Sequence, residues 1–231
     1  MTLTNEALAV LKDVSTATIT TLLLKKGLRN IWRRGAMPLR PGQPRLVGPA
    51  FTLRFVPARE DLATPASWAS PISTRAAIEA MPEGCMVVVD AMGVTDAGIF
   101  GDILCARMAK RSVAGLITDG VLRDVAGVMR TGLPVWSRGF AAPPSVAGVT
   151  FVGWQEPIGC GGVAVIPGDI IVADDDGAVV IPKALLEDVL AEGPEQERLE
   201  AWIVEEVEKG ASLPGLYPMN AETTARYDAS K

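Results

Sequence analysis

An α/β fold is predicted by three features. Apolar strand-like runs alternate with helical segments between residues 86 and 137, a β-rich stretch follows from 162 to 181, and helical segments lie at both ends. Strand, helix, strand, helix, strand is the order of parallel crossovers, because a helix is needed to carry the chain back to the starting edge of the next parallel strand. The 231 residues are 48% hydrophobic and 21% charged, with no low-complexity break and no internal repeat. We read one domain over residues 1–231 with helical arms at its ends.

The elements follow in order. Residues 4–14 form a short amphipathic helix with Thr4 as N-cap, and a second helix runs from Ser15 to Lys26 and stops at Gly27. Pro38, Pro41 and Pro44 make 35–48 a loop or sheet edge. Ala50–Val56 alternates and is rich in β-formers, so it is a strand. Ser73 caps a helix reaching Ala80, and Pro82-Glu83-Gly84 turns into the buried strand Met86–Asp90. Helix Gly101–Arg111, strand Val113–Thr118, helix Leu122–Arg130 and strand Val135–Ser137 succeed it. Gly162–Ile166, Ile170–Ala173 and Ala178–Ile181 are short strands joined by Pro167-Gly168-Asp169 and Asp175-Asp176-Gly177. A long helix from about Lys183 to Lys209 is expected to break or kink at Gly193-Pro194, since proline removes a helical hydrogen bond. The apolar residues of Leu213–Tyr217 suit docking on a neighbouring subunit.

Composition excludes several function classes. A net charge of −5 argues against a general nucleic-acid surface, so an anionic substrate must be met by locally focused positive charge. Asn5, Glu6, Lys12 and Asp13 interrupt any leader-like apolar run, and no run approaches the ~18 apolar residues that suggest a membrane span. The expectation is a cytoplasmic protein acting on a small molecule. Cys85, Cys105 and Cys160 are odd in number and widely spaced, which argues against a disulfide framework. The chain has no histidine, which removes Ser-His and Cys-His pairs, His-ligated zinc and imidazole acid/base catalysis. Chemistry must come from carboxylates, arginine, lysine, amides, water or an oxygen-held metal. No lysine lies within an apolar strand, where a depressed pKa would suit Schiff-base chemistry.

Three polar clusters stand out. Thr118-Asp119-Gly120-Val121-Leu122-Arg123-Asp124 follows a buried strand, and ligands of α/β folds bind at the carboxyl ends of strands. Arg123 offers a bidentate fork to a carboxylate, and Asp124 offers a hard oxygen to Mg²⁺ or Mn²⁺. A helix-start aspartate beside a surface arginine is the plainer reading of the same residues. Asp96–Leu104 places Gly101 and Asp102 at a helix start, where free amides favour anions, although Asp102 also reads as a simple cap. Asp174-Asp175-Asp176 resembles a metal loop, but Asp-Gly between alternating apolar runs is more strongly a hairpin turn. Arg54 and Arg59-Glu60-Asp61 are further candidates for the rim of a site.

Taken together, the segments resemble the RraA-like family, which includes 4-hydroxy-4-methyl-2-oxoglutarate and 4-carboxy-4-hydroxy-2-oxoadipate aldolases. The resemblance spans about residues 15 to 217. It rests on Val47-Gly48-Pro49-Ala50, Gly101-Asp102-Ile103-Leu104, Gly115–Asp124, Pro134-Val135-Trp136 and Pro157–Pro182, with Asp102 separated by twenty residues from Arg123-Asp124. The resemblance implies a three-layer β-β-α sandwich of the swivelling phosphohistidine-domain kind, assembled as trimers or dimers of trimers with active sites between subunits. It implies that Asp124 holds Mg²⁺ or Mn²⁺ partly through water and that Arg123 contacts a 2-oxo acid. The Gly101, Asp102, Ile103 and Leu104 turn would bind its carboxylate, and Asp102 would position a proton-carrying water. A glutamate from a neighbour's C-terminal helix completes such sites, with Glu200 the best match and Glu197 second.

The implied activity is retro-aldol cleavage of a 4-hydroxy-2-oxo acid to pyruvate, with oxaloacetate decarboxylation through the same enolate. Two other readings stay open: a hydro-lyase acting on a sugar acid, and a regulator that binds a ribonuclease. The family's ribonuclease regulators lack the aspartate at position 102 and carry an acidic residue at the position of Gly127. The segments Pro57–Asp61 and Leu213–Pro218 depart from the best-known aldolases and bear on the substrate.

Overall fold

Side-chain caps open the first two helices, Thr4 as the sequence predicts and Ser15 as the residue before its helix rather than the first within it. Thr4 Oγ1 accepts the Ala7 amide at 3.1 Å and Ser15 Oγ accepts the Thr18 amide at 3.0 Å, opening α1 (Asn5–Asp13) and α2 (Thr16–Lys25). The computed structural model describes residues 3–231. A two-residue edge strand, β1 (Met37–Pro38), precedes β2 (Leu46–Pro57), which is longer than the predicted Ala50–Val56. The loop expectation for 35–48 fails over its last residues, because Val47 is buried among the terminal helices and its backbone has a strand partner.

The crossover region follows: α3 (Thr74–Ala80), β3 (Met86–Asp90), α4 (Asp102–Lys110), β4 (Gly115–Thr118), α5 (Val125–Thr131) and β5 (Val135–Ser137). Then come β6 (Val149–Trp154), the hairpin β7 (Ile158–Cys160) and β8 (Val163–Val165), the hairpin β9 (Ile170–Asp174) and β10 (Gly177–Ile181), and helices α6 (Leu186–Glu208) and α7 (Ala221–Ser230). The main sheet runs β1-β5-β4-β3-β2-β9-β10, with β6 also on β2. β2, β3, β4 and β5 are parallel neighbours, and β2 joins them to the antiparallel part by pairing Leu46–Pro49 with β9. β6 and β7 had no expectation in the sequence; neither has a strong alternating pattern.

The alternation of β3 builds two cores. Val87 and Val89 face α3, α4 and α5, together with Phe51, Leu53, Ile78, Met108 and Val128. Met86 and Val88 face the opposite way, onto Ile117, Trp136, Ile158, Val163 and Ile171. A helix layer thus covers one face of the sheet and β-hairpins cover the other, giving the β-β-α layering. A third cluster packs α1, α2 and α6 on β9 and β10. Trp136 is fully buried, and its indole N–H donates to Asp174 O at 2.8 Å, tying the two β regions together.

The acidic run is a structural turn. Asp174 accepts the Thr16 amide (3.0 Å), the Thr16 hydroxyl (2.7 Å) and Arg45 Nε (3.2 Å), and Asp175 accepts the Gly42 amide at 3.0 Å. α6 continues through Pro194, so of the expected break or kink the break does not occur. Gly193 is the reason the helix can stay seated: a Cβ there would lie 2.8 Å from Val14 Cγ2, so the α1–α2 elbow presses directly on its backbone. α7 folds back on α6 through Tyr227 on Trp202 at 5.4 Å and Arg226 on Glu206. Among the described residues, no single helix is long and apolar enough to cross a membrane.

Glu197 of α6 accepts the Ser15 amide at 2.7 Å, next to the α2 N-terminus. Burial raises its pKa, but the hydrogen bonds from Ser15 and Thr18 outweigh this and hold it below the ordinary 4.5. A depressed carboxylate stabilises the fold above its unfolded pKa and loses that contribution as pH falls through the folded value. Glu197→Gln is therefore expected to lower the melting temperature at pH 7, by the equivalent of about 1 kcal/mol, and the difference should shrink as the pH drops below about 4.5.

Candidate active site

The carboxyl ends of β3, β4 and β5 open into three loops that lie side by side. Ile99 N donates to Val121 O (2.8 Å), Arg123 N to Phe100 O (3.0 Å), Leu122 N to Gly139 O (3.0 Å) and Ala141 N to Leu122 O (2.9 Å). These bonds hold Leu122 and Arg123 extended, which is why α5 begins at Val125 rather than at the predicted Leu122. Asp119, only 4% exposed, pins the base of this array by accepting the Ala91 amide at 2.7 Å and the Gly161 amide at 3.0 Å.

Asp124 is the N-cap of α5 and sits in the left-handed region, with φ 54° and ψ 41°. Few non-glycine residues adopt that conformation, and it occurs disproportionately at functional sites. Its Oδ2 accepts Arg123 Nε at 3.1 Å. The close packing of two glycines permits the arrangement. A Cβ on Gly101 would lie 2.6 Å from Asp124 Oδ2, and one on Gly98 would lie 2.7 Å from Arg123 Cβ.

Gly101 caps α4 without a side chain, and the first amides of a helix have no intrahelical acceptor. Asp102 Oδ1 accepts the Ile103 amide at 2.8 Å, leaving the Asp102 and Leu104 amides as the donors of that turn. The other carboxylate oxygen rests on α5: a Cβ at Gly127 would lie 2.4 Å from Asp102 Oδ2 and 2.6 Å from Asp102 Cβ.

One cavity of about 750 Å³ is lined by Gly101, Asp102, Ile103, Leu104, Arg123 and Asp124 together. Its farther wall includes Trp68, Ser73, Arg75 and Ser145. The sequence reading missed that wall, which is assembled from a 3₁₀ turn at Pro65–Ala69, the start of α3 and a loop before β6. Ser73, which reads as a helix cap, is the residue of that wall that the sequence marks. Arg54 and Arg59 lie elsewhere: Arg54 approaches Glu156 at 3.6 Å and Arg59 forks on Asp61.

Glu200 does not line the cavity within one chain; its Oε1 accepts Gln196 Nε2 at 2.8 Å on α6. Glu197 is committed to Ser15 in its own chain. The cysteines are buried and hold no reactive thiolate, since burial pushes Cys85, Cys105 and Cys160 each up to about 12.

The donor set fits a hard, largely hydrated cation. Asp124 presents a half-exposed carboxylate in the cradle that Gly101 leaves open. Among the described residues no group of three or more His, Cys, Asp or Glu side chains is placed to enclose an ion. Mg²⁺, which keeps several waters and needs one or two carboxylates, suits such a set better than a dehydrated, protein-enclosed ion.

The chain resembles known proteins in sequence and in fold. The chain is 34% identical over 153 residues to a Halalkalibacterium halodurans protein named "Putative 4-hydroxy-4-methyl-2-oxoglutarate aldolase", covering 66% of this chain and 67% of that one. It is 32% identical over 153 residues to protein DlpA of Legionella pneumophila, covering 66% of this chain but only 24% of that much longer protein. Among solved structures, RraAS2 of Streptomyces coelicolor, described as an unusual member of the RNase ES inhibitor RraA protein family, superposes with a TM-score of 0.78. Its identity is 32%, over 87% of this chain and 97% of that one. A family model described as RraA-like, Aldolase/RraA, matches residues 12–180, and the chain belongs to that family.

Proposed function

We propose that the protein is a divalent-metal-dependent carbon–carbon lyase that cleaves a 4-hydroxy-2-oxo acid to pyruvate and a second oxo compound, and that also decarboxylates oxaloacetate. The observation that carries this reading is the convergence of Asp102, Arg123 and Asp124 on one cavity, with Asp102 seated against Gly127. The family's ribonuclease regulators have an acidic side chain where Gly127 stands. No side chain fits at 127 while Asp102 keeps its place, so the two patterns exclude one another sterically.

The chemistry follows from the residues. The amides of the α4 turn and the Arg123 guanidinium bind the 2-oxo acid, a carboxylate being well matched to both. In cleavage the C3–C4 bond breaks, its electron pair passes into the enolate of pyruvate, and the C4 hydroxyl gives up its proton as C4 becomes a carbonyl. Arg123 stabilises the negative charge that develops on the 2-oxo oxygen. Asp102, oriented by the Ile103 amide and Gly127, holds a water that takes the C4 hydroxyl proton and returns a proton to C3. Asp124 would hold a divalent cation, which when bound would supply Lewis-acid stabilisation of the same charge. Loss of CO₂ from oxaloacetate leaves the same enolate and uses the same groups. Glu200 of a neighbouring subunit, in a trimer or dimer of trimers, is proposed to complete the site.

Pyruvate formation from oxaloacetate and from 4-hydroxy-4-methyl-2-oxoglutarate, with Mg²⁺ or Mn²⁺ and with EDTA, tests the reading. Turnover is expected with metal, and EDTA should reduce it at least 10²-fold, the scale of losing one preorganised charge partner. Equal rates with metal and EDTA would remove the proposal. No turnover together with a direct complex on a ribonuclease would favour the regulator reading, to which the likeness to RraAS2 points.

A further inference from the structure

The farther wall of the cavity holds a cation that the chemistry above does not use. Arg75 lines the cavity, and its guanidinium lies over the Trp68 ring at 4.8 Å. The other arginines of the cavity are committed to carboxylates. Arg107 forks on Glu79 with two bonds of 2.7 Å, and Arg123 is bonded to Asp124. Among the described residues no carboxylate lies within 4 Å of Arg75. Arg75 is exposed, yet desolvation pushes its pKa down from the ordinary 12.5, and no neighbouring anion opposes this. A guanidinium at neutral pH stays charged regardless. A guanidinium over an indole is attracted to the face of the ring and keeps N–H donors that can serve a ligand. Ser145, from the loop before β6, lines the same cavity and adds a hydroxyl.

We propose that Arg75 is the residue that determines substrate specificity: it binds a second carboxylate carried by the half of the substrate that departs when the C–C bond breaks. The site would then prefer 4-hydroxy-2-oxo diacids to 4-hydroxy-2-oxo acids ending in a methyl group. The two ends of the substrate are read by different loops, the 2-oxo acid end by Gly101–Leu104 and Arg123, the departing end by Arg75 on its Trp68 platform. This inference rests on the lyase reading above.

The test compares kcat/KM for cleavage of 4-hydroxy-2-oxoglutarate and 4-hydroxy-2-oxopentanoate in the full-length protein with Mg²⁺, alongside deuterium exchange into the pyruvate methyl group. The wild type should exchange pyruvate protons and should favour the diacid. Arg75→Met should lower kcat/KM for the diacid about 10- to 100-fold more than for the methyl compound, the scale of a lost charged hydrogen bond. Arg75→Lys, which keeps the charge but not the fork, should fall between. Diacid preference unaltered in Arg75→Met, with pyruvate exchange present in the wild type, would overturn the assignment of Arg75 alone. An equal loss for both substrates would do the same. Wild-type protein that neither exchanges pyruvate nor cleaves either compound would overturn the lyase reading and this inference with it. Melting curves for both variants guard against misfolding, with Arg75→Lys carrying the comparison if Arg75→Met is unfolded.

Discussion

Arg123→Ala should lower pyruvate formation from oxaloacetate about 10²–10³-fold with little change in melting temperature. The large effect on rate comes from removing a fixed positive group where negative charge develops, which acts on the transition state more than on the ground state. The small effect on stability follows from the position of the side chain. Its guanidinium is about a third exposed and, among the described residues, its ion pair is with the more accessible Asp124, and such pairs contribute little to folding. The part of Arg123 that the fold does need is its amide, which donates to Phe100 O at 3.0 Å and survives the substitution. Arg123→Lys should recover only part of the rate, because an ammonium is a point charge and cannot fork. Saturation kinetics and calorimetry on the same samples check both halves. A variant that melts normally and turns over at the wild-type rate would show that Arg123 faces no developing charge.

Gly127→Asp should abolish most of the activity, by about 10²–10⁴-fold, through its effect on Asp102 rather than on the helix. General acid–base groups contribute on that scale. Alanine in place of glycine inside a helix ordinarily gains up to ~1 kcal/mol, so the backbone of α5 would tolerate a side chain. The obstacle is the 2.4 Å between the new Cβ and Asp102 Oδ2, and the 2.6 Å to Asp102 Cβ, too deep in the side chain for a rotamer change to relieve. A carboxylate there also repels the one it displaces. The double variant Asp102→Gly/Gly127→Asp, which removes both the carboxylate and the Cβ that the new side chain would meet, separates the two effects. Its melting temperature should recover toward wild type once the clash is gone, while the activity stays low because the proton-carrying water has lost its holder. Full activity in Gly127→Asp would mean that Asp102 does not need its observed seat.

The fold was legible where burial and backbone preference agree. Val87 to Val89 read as a buried strand because both faces of β3 are covered, and Thr4 read as a cap because a hydroxyl before an apolar helix has few other uses. Legibility failed where long-range contacts override local preference. Pro194 stays within α6 because α6 is clamped against the α1–α2 elbow. Val47 is strand because β9 arrives from more than a hundred residues away to pair with it. Leu122 and Arg123 look helical but are held extended by neighbouring loops. The site divides in the same manner. Arg123-Asp124 and Gly101-Asp102 each announced a polar turn at a strand or helix end, and their spacing matched a family. The wall carrying Trp68, Arg75 and Ser145 gave almost no signal, because single polar residues in loops mean little until the chain brings them together.

By itself the sequence determined the kind of chemistry open to this protein: with no histidine, the work falls to carboxylates, arginine, lysine, amides, water or an oxygen-held metal. It also determined the α/β order, because hydrophobic period and turn residues are local properties. Only the tertiary structure decided that Asp102 and Asp124 share a cavity, that glycine at 101 and 127 is what lets their carboxylates fit, and that Arg75 faces the same space over Trp68 with no carboxylate partner among the described residues. Those are statements about distance between residues far apart in the chain, and distance is set by packing.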